Sequence, residues 1–199
     1  MKVLLIQPPS QNPFSDRFYL FEPLAMEYLG AGLKLEGHQV EILDARLEPD
    51  IEEACRRFRP EVAGLTGFTN QVNVIKEIAA RLKALFPVLF VVVGGHHATV
   101  QPEDFNEPNI DAVVIGEGVF TLREIVSALA ARTPLSEIQG LGLPNEAGAA
   151  GMIFSAPRPY TDLNDLPFPD RSLTSRYRKH YFSEWVKPLA SVRTSLGCT

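Results

Sequence analysis

Apolar residues along the chain form two kinds of pattern, short continuous runs and longer stretches with helical spacing. The run VLLI at 3–6 is followed closely by two prolines, which cannot donate to a strand ladder, and this is typical of a short strand buried on both faces. In residues 22–37 apolar side chains recur every three or four positions, and the stretch ends at Gly37, a residue type favoured just past a helix end. The same patterns predict further strands at 38–45, 61–68, 88–95 and 111–118, and further helices at 50–58, 70–86 and 120–132.

The order of these elements, strand then helix repeated about five times, predicts the fold class. Parallel strands must be joined by long crossovers, which helices supply, so the alternation indicates a parallel sheet that is covered on both faces. We therefore predict an α/β, doubly wound, flavodoxin-like or Rossmann-like fold, with a five-stranded parallel sheet and helices on both faces.

The pattern changes after about residue 133. Residues 140–155 have two short apolar runs around a Gly-rich polar turn, which predicts a β-hairpin, and residues 156–172 are rich in Pro and Asp without periodicity. We predict three parts: an α/β domain at 1–135, a hairpin extension at 136–160, and a linker at 161–199 that runs toward a further strand near its end.

Composition and charge narrow the class of protein. The chain is 45% hydrophobic and 22% charged, an ordinary globular composition, and its net charge of −5 argues against a surface that binds nucleic acid. Two cysteines without a CxxC spacing indicate a reducing compartment, and Cys55, within a predicted helix, is interpreted as a core residue. Since no apolar run reaches membrane-spanning length and the N-terminal run is too short for a signal peptide, we expect a cytoplasmic protein without a membrane partner.

The ends of the predicted strands are the place to look for a ligand, because open parallel sheets bind ligands at the carboxyl ends of their strands. The residues there are mostly small and neutral. Glycine lets the backbone approach a ligand closely, and threonine offers a hydroxyl without charge, so a large, mostly neutral ligand with polar edges is expected. These small residues are Thr66, Gly67, Thr69, Gly94, Gly95, Gly116 and Gly118.

Other ligand classes lack their usual motifs. The chain contains neither GxGxxG after its first strand nor GxxxxGK[ST], so dinucleotide and P-loop sites are disfavoured. The loop PPSQNPFS is a poor flavin-phosphate loop because its prolines have no backbone N–H, and Thr66 stands where a response regulator needs Asp. A stand-alone flavodoxin-like module, which binds a nucleotide or a flavin or serves as an interaction domain, stays open as the alternative.

Several polar residues at the strand ends have two interpretations. His96 and His97 are adjacent and therefore diverge, and no third ligand completes a metal spacing, so a polar contact to an organic cofactor or a loop-tying role is expected rather than a metal pair. Asp44 and Glu117 each end a strand, where they could cap the following helix or contact a ligand.

Six segments together resemble a known family. They are VLLIQPP, LEGHQVEILDA, EVAGLTGFT, VVVGGHHATVQPEDF, DAVVIGEGVFTLREIV and DLNDLPFPDRSL, and the resemblance covers essentially the whole chain. The sequence resembles the N-terminal cobalamin-binding domain of cobalamin-dependent radical S-adenosylmethionine enzymes. In that family a GC pair opens a CxxxCxxC cluster motif after this linker, so Cys198 resembles the first ligand of a four-iron four-sulfur cluster.

The resemblance implies a particular mode of cofactor binding. Residues 66–68 stand at the SxL signature of cobalamin domains and Gly94–Gly95 at the GG signature, whereas the DxHxxG signature is absent after the first strand. Its absence implies base-off cobalamin without a histidine lower ligand, and the tail nucleotide is expected to insert between strands beside small residues. The implied cofactor-binding residues are Pro8, Pro9, Asp44, Ala45, Thr66, Gly67, Phe68, Thr69, Gly94, Gly95, His96, His97, Gly116, Glu117 and Gly118. A leucine at Gly95 is expected to block this insertion without disturbing the fold.

The resemblance also implies what lies beyond this chain. The parent enzyme would be a methyltransferase or an oxidative cyclase that uses cobalamin, a 4Fe-4S cluster and S-adenosylmethionine. The partner of this domain would be the radical S-adenosylmethionine barrel of the same polypeptide, and residues 1–199 alone would not be catalytic.

Overall fold

The structure, a computed structural model, describes residues 1–10, 17–145 and 151–195. The predicted α/β fold, with a doubly wound parallel sheet between two helical layers, is confirmed. Along the chain the elements are β1 (Lys2–Gln7), β2 (Tyr19–Leu20), α1 (Leu24–Leu35), β3 (Gln39–Asp44), α2 (Ile51–Phe58), β4 (Val62–Thr66), α3 (Val72–Leu85), β5 (Phe90–Gly94), α4 (His96–Val100), β6 (Ala112–Val114), α5 (Gly118–Ala131), β7 (Leu141–Pro144), β8 (Met152–Phe154) and β9 (Phe182–Ser183). Within the described ranges, 3₁₀ segments also lie at Thr69–Gln71, Pro102–Phe105, Leu163–Asp165 and Arg171–His180.

The main sheet has seven strands in the order β3-β1-β4-β5-β6-β7-β8. The first five strands in this order run parallel, as predicted, and the chain reverses its direction of progress between β1 and β4. The expected strand count of five was wrong for the sheet as a whole, because the hairpin β7–β8 joins it rather than standing apart. β7 pairs antiparallel with β6 through Val114 and Leu141 and so covers the edge that β6 would otherwise expose.

Alternate residues of the strands belong to two separate cores, which explains why the strands read as continuous apolar runs. In β1, Leu4 and Ile6 face the core beneath α2 and α3, whereas Val3 and Leu5 face the core beneath α1 and α5. Cys55 is buried in the first of these cores, as predicted.

The linker crosses back over the N-terminal part of the chain. β9 pairs antiparallel with β2, and the 3₁₀ segment Arg171–His180 packs against α1 and β3. Up to residue 195 no strand follows β9, so the strand expected near the end of the linker is not seen in the part of the chain that the structure describes. Cys198 lies outside the described residues.

A buried polar cluster attaches the linker to α1. The carboxylate of Glu22 accepts hydrogen bonds from the Arg171 guanidinium and from the backbone N–H of Ser191, while Arg171 Nη2 donates to the Ser191 carbonyl at 2.6 Å. Nearby, the fully buried Glu27 accepts a hydrogen bond from the Thr174 hydroxyl. Both backbone groups of Ser191 are therefore held by side chains, which fixes the course of the linker at this point.

Among the helices that the structure describes, none combines the length and the apolar character needed to cross a bilayer.

Candidate functional site

A cavity of about 490 Å³ opens at the carboxyl ends of the central parallel strands and extends between the sheet and the helices α1 and α5. Its floor is formed by Leu5, Gly64 and Val92, which come from the middle of β1, β4 and β5. Its volume falls in the range of about 300–1,000 Å³ that is usual for small-molecule and cofactor sites. The cavity thus lies where the strand order reverses, which is the expected ligand position for an open parallel sheet.

Gly64 is the residue that makes the floor deep. A Cβ atom at this position would lie 2.8 Å from Leu5 Cδ2 and 3.9 Å from Val92 Cγ1, so any larger residue would fill the space between its two neighbours. Sequence reasoning missed Gly64, although a glycine inside an apolar strand is itself a signal that something approaches the backbone closely.

The walls are supplied by the two helices on this face of the sheet. Met26 and Leu29 project from α1, Leu122 projects from α5, and Gly118 begins α5 at the mouth. A Cβ atom at Gly118 would lie 3.4 Å from Leu29 Cδ2, so the small residue leaves room where the two helices approach each other.

The predicted cofactor-binding residues divide into two groups. The first group lines the cavity, and the second does not. The lining residues are Thr66, Gly67, Phe68, Gly94, Gly95, His96, Gly116, Glu117 and Gly118. The residues that do not line it are Pro8, Pro9, Asp44, Ala45, Thr69 and His97.

The two adjacent histidines have different surroundings. His97 is buried, with Nδ1 3.1 Å from Thr69 Oγ1 and Nε2 2.8 Å from Asp104 Oδ2. His96 lines the cavity, and its ring centroid lies 6.2 Å from that of Phe68. Across the described ranges no group of three or more His, Cys, Asp or Glu side chains could hold a metal ion. His97 therefore ties loops together, whereas His96 is available at the mouth of the cavity.

Thr99, the last residue of the GGHHAT segment, joins two loops through its hydroxyl. Its hydroxyl donates to the Gly95 carbonyl at 3.0 Å and accepts from the Gly116 backbone N–H at 3.0 Å. One side chain thereby holds the loop after β5 against the loop after β6. Gly116 has φ +83°, a left-handed value that favours glycine.

Gly95 has a similar requirement for glycine, with φ +98°. A Cβ atom there would collide with Thr66 Oγ1 and would lie 3.0 Å from the Gly67 backbone nitrogen. The expectation that a leucine at this position leaves the fold undisturbed was therefore wrong, because the substitution would strain the backbone before it reached the cavity.

Pro9 does not line the cavity but helps to hold two loops together. Its carbonyl accepts a hydrogen bond from Gln71 Nε2 at 3.2 Å, and Gln71 Oε1 accepts one from the Phe68 backbone N–H at 3.1 Å. The largely buried Gln71 side chain thus joins the loops after β1 and β4.

Asp44 does not cap α2, and its carboxylate is bound by other side chains. It is fully buried, accepts hydrogen bonds from Arg46 Nε and Nη2 at 2.8 and 2.6 Å, and accepts a third from the Tyr181 hydroxyl at 3.2 Å. Helix α2 is capped instead by Asp50, which accepts from the Glu53 backbone N–H. Burial, with the nearby Asp44 carboxylate, raises the pKa of Tyr181 strongly, so its hydroxyl stays protonated and holds the linker to β3.

Glu117 stands at the start of α5 without a side-chain capping bond. Its Oε2 lies 3.6 Å from Arg193 Nη1, and both residues line the cavity. Arg193, together with Tyr160 and Thr161, brings the linker into the cavity wall. Sequence reasoning missed these three residues, since they lie far along the chain from the strand-end loops.

Residues 16–126 match the protein-family model described as the B12 binding domain, a span that holds all of the strand-end loops except the first. The chain belongs to the B12-binding domain family. This confirms the resemblance to the cobalamin-binding domain of cobalamin-dependent radical S-adenosylmethionine enzymes. The residues that the linker adds to the cavity wall lie outside the matched B12-binding span.

Curated relatives of this B12-binding domain include two methyl-transfer proteins. The chain is 33% identical over 206 residues to an uncharacterized methyltransferase of Pyrococcus horikoshii, and the alignment covers 100% of the chain and 43% of the relative. It is 31% identical over 206 residues to the hopanoid C-3 methylase of Methylococcus capsulatus, and the alignment covers 100% of the chain and 38% of the relative. The chain therefore spans about two fifths of the length of these relatives.

Solved structures show the same arrangement of strands and helices. The radical S-adenosylmethionine methyltransferase TsrM of Kitasatospora setae, with cobalamin and a [4Fe-4S] cluster bound, is similar with a TM-score of 0.66 at 25% identity, over 80% of this chain and 29% of that one. The cobalamin-dependent S-adenosylmethionine radical enzyme OxsB, with aqua-cobalamin and S-adenosylmethionine bound, gives a TM-score of 0.73 at 21% identity, over 89% of this chain and 25% of that one. At that identity the second likeness shows the fold alone.

Proposed function

We propose that this chain binds cobalamin in the base-off form, with the tail nucleotide in the cavity between the sheet and the helices α1 and α5. The observation that carries the proposal is the cavity itself, a deep apolar space at the carboxyl edge of the sheet in a chain of the B12-binding family. The tail base of cobalamin is flat and apolar, and the floor made by Leu5, Gly64 and Val92 fits a group of that kind.

The position of the cavity refines the expected path of the tail. Insertion between strands is disfavoured because β1, β4 and β5 are hydrogen-bonded to one another, at the usual spacing of about 4.8 Å between strands. The open space lies beside the sheet instead, against the helices.

The residues around the mouth would hold the corrin ring through close backbone approach. The glycines at 67, 94–95, 116 and 118 leave the backbone of three loops accessible, and Thr66 adds a neutral hydroxyl. The six predicted residues that do not line the cavity would support these loops rather than touch the cofactor, as the contacts of Pro9, Asp44 and His97 indicate.

The absence of a histidine lower ligand rests on the sequence and on the loop contacts. No histidine occurs between residues 1 and 37, and both ring nitrogens of His97 have partners in Thr69 and Asp104. His96 is the histidine at the mouth of the cavity, and the His96→Ala variant tests whether it binds cobalt.

Bound cobalamin would supply a cobalt centre that can carry and transfer a methyl group. The protein's own part is to exclude water from the tail with the apolar floor and to orient the corrin at the strand-end loops. We further propose that the chain is the corrinoid domain of a longer radical S-adenosylmethionine methyltransferase or cyclase, whose barrel would bind the 4Fe-4S cluster and S-adenosylmethionine. The names of the two curated relatives favour methyl transfer. In that protein Cys198 would be the first cluster ligand.

The test is direct binding. Purified chain is mixed with hydroxocobalamin, desalted and examined by visible spectroscopy, and the cobalt is then reduced to Co(II) for electron paramagnetic resonance. Retained corrinoid with a base-off spectrum and without nitrogen splitting is expected. A wild-type chain that retains no corrinoid, or that retains a flavin instead, would contradict cobalamin binding. Nitrogen splitting that disappears in His96→Ala would contradict the absence of a histidine ligand.

A further inference from the structure

The cavity has only two charged residues among its described lining residues, Glu117 and Arg193. Every other lining residue is apolar, glycine or neutral at its polar end, apart from His96 at the mouth. Arg193 is the only Lys or Arg among the described lining residues, and Glu117 Oε2 lies 3.6 Å from its Nη1 atom.

Arg193 is held in position by the linker rather than by the α/β domain. Two residues earlier, both backbone groups of Ser191 are bound by the Glu22–Arg171 pair. The Glu22 side chain is 2% exposed and that of Arg171 is 29% exposed, so the carboxylate end of this pair is buried. The side chain of Arg193 is thereby presented to the cavity mouth from a fixed point of the backbone.

The contacts of Arg193 leave its hydrogen-bonding capacity largely unused. The guanidinium lies over the Tyr28 ring, 5.5 Å from its centroid, and 3.6 Å from Glu117 Oε2. That separation is longer than the usual charge-assisted hydrogen bond of about 2.7–2.9 Å. Within residues 17–145 and 151–195 the guanidinium donates no hydrogen bond, so its planar fork can still bind an anion with two oxygens.

Cobalamin carries such an anion. Its tail contains a phosphodiester between the ribose and the corrin side chain, and a tail placed in the cavity brings this group to the charged part of the lining. We propose that Arg193 binds the phosphodiester of the cobalamin tail, so that the linker completes the cofactor site of the α/β domain. This inference rests on the proposed function.

Glu117 takes a different part. Its carboxylate competes with the phosphodiester for Arg193 and repels it, while the rest of its side chain forms part of the wall. A Glu117→Gln substitution keeps the shape and the hydrogen-bonding ends but removes the competing charge. If the pair served only to close the cavity, neutralising either partner would have the same effect. A phosphate-binding Arg193 predicts opposite effects.

The experiment measures the dissociation constants of cobalamin and of cobinamide, which lacks the tail nucleotide and its phosphate, for the full 199-residue chain. The variants are Arg193→Gln, Arg193→Lys and Glu117→Gln, with Arg178→Gln as the matched control, since Arg178 is an exposed arginine of the same linker that does not line the cavity. Thermal unfolding of each variant by circular dichroism verifies that it is folded.

Arg193→Gln is expected to weaken cobalamin binding by about tenfold or more, since a hydrogen bond to a charged group contributes about 1.5–3 kcal/mol. Arg193→Lys should retain part of the affinity, Glu117→Gln should bind cobalamin more tightly than wild type, and Arg178→Gln should match wild type. Cobinamide affinity should change little in any variant.

Two results would overturn the inference while cobalamin binding by the wild type stands. One is unchanged cobalamin affinity in Arg193→Gln, and the other is an equal loss of affinity in Arg193→Gln and Glu117→Gln. A wild-type chain that binds no cobalamin would instead overturn the proposed function, and the inference with it.

Discussion

The Nε2 atom of His97 lies 2.8 Å from Asp104 Oδ2, whereas the adjacent His96 lines the cavity. Two neighbouring residues of the short helix α4 thus have different roles, since His97 makes structural contacts and His96 lines the cavity. His97 joins the loop after β5 to the 3₁₀ segments on either side, through Asp104 and Thr69. The contrast between the two histidines gives a stability prediction.

We expect His97→Ala to lower the free energy of unfolding by about 1–3 kcal/mol, because it removes the hydrogen bonds of the buried imidazole to Thr69 and Asp104 and empties a buried volume. His96→Ala is the matched control and should change stability by less than about 0.5 kcal/mol. Urea unfolding followed by circular dichroism measures both values. Equal losses in the two variants would show that His97 has no special structural role.

Gly64→Val should fill the floor of the cavity and weaken cobalamin binding by about tenfold or more. The added side chain would occupy space that the cofactor tail needs, and a packed interior accommodates extra volume only at a cost in free energy. The new Cβ atom would lie 2.8 Å from Leu5 Cδ2, so Leu5 must turn as well. Valine suits a strand, which keeps the fold available.

The control for this prediction is Gly142→Val in β7, where a Cβ atom would also meet a side chain, with Met152 Cε 3.0 Å away. Gly142 does not line the cavity. Visible titration with hydroxocobalamin compares the two variants, and comparable affinity in both would refute the role assigned to the floor.

Glu27 gives a prediction about pH. Burial raises the pKa of its carboxyl, and the charge of Glu22 adds to this, while the Thr174 hydrogen bond and the charge of Arg171 oppose it. Because the folded state holds the proton more tightly than the unfolded state, this group's contribution to stability is fully present below pH 4.5, the ordinary value, and is lost as pH rises through the raised pKa.

We therefore expect the stability of wild type relative to Glu27→Gln to fall as pH rises above 4.5, by about 1.4 kcal/mol at most for each pH unit between the unfolded and folded pKa values. Urea unfolding of both proteins in steps from pH 4.5 to 8 measures the difference, in which the other groups largely cancel. A difference that is constant or that grows with pH would contradict the raised pKa.

Arg171→Lys should loosen the linker without unfolding the α/β domain. Lysine is a single-point donor and cannot serve Glu22 and the Ser191 carbonyl together, as the two ends of the guanidinium do. Amide hydrogen exchange in residues 186–195 is expected to rise by an order of magnitude or more, while exchange in β4 and β5 stays slow.

Arg178→Lys is the control for Arg171→Lys, because Arg178 is an exposed arginine of the same linker whose side chain makes a 3.5 Å hydrogen bond to the Arg171 carbonyl. Unchanged exchange in residues 186–195 of Arg171→Lys would mean that the polar cluster does not hold the linker.

The parallel strands could be predicted from sequence because both faces of the sheet are buried, which forces continuous apolar runs such as residues 3–6. The position of the β7–β8 hairpin in the sheet could not be predicted from sequence. Whether β7 joins β6 or stands apart depends on which edge is free after the sheet has formed, and Leu141 reads as an ordinary apolar residue in either case.

The candidate site was predictable only along its rim. Glycine and threonine at strand ends are distinctive there, whereas Leu5 and Val92 in the floor look like any other core residues. Asp44 looked equally suited to a ligand, but its carboxylate is bound by Arg46 and by Tyr181, and Tyr181 lies 137 positions away, which local patterns do not reveal. Arg193 was missed for a similar reason, because it lies far along the chain from the strand-end loops.

Tyr160, Thr161 and Arg193 are also the last parts of the cavity wall to be made, because synthesis runs from the N-terminus. A nascent chain that ends near residue 150 already contains all five parallel strands, with the floor and both helical walls, but none of the linker's contribution. Until those residues have been synthesised the cavity wall lacks three of its lining residues, so this part of the site is assembled after the part that the sheet supplies.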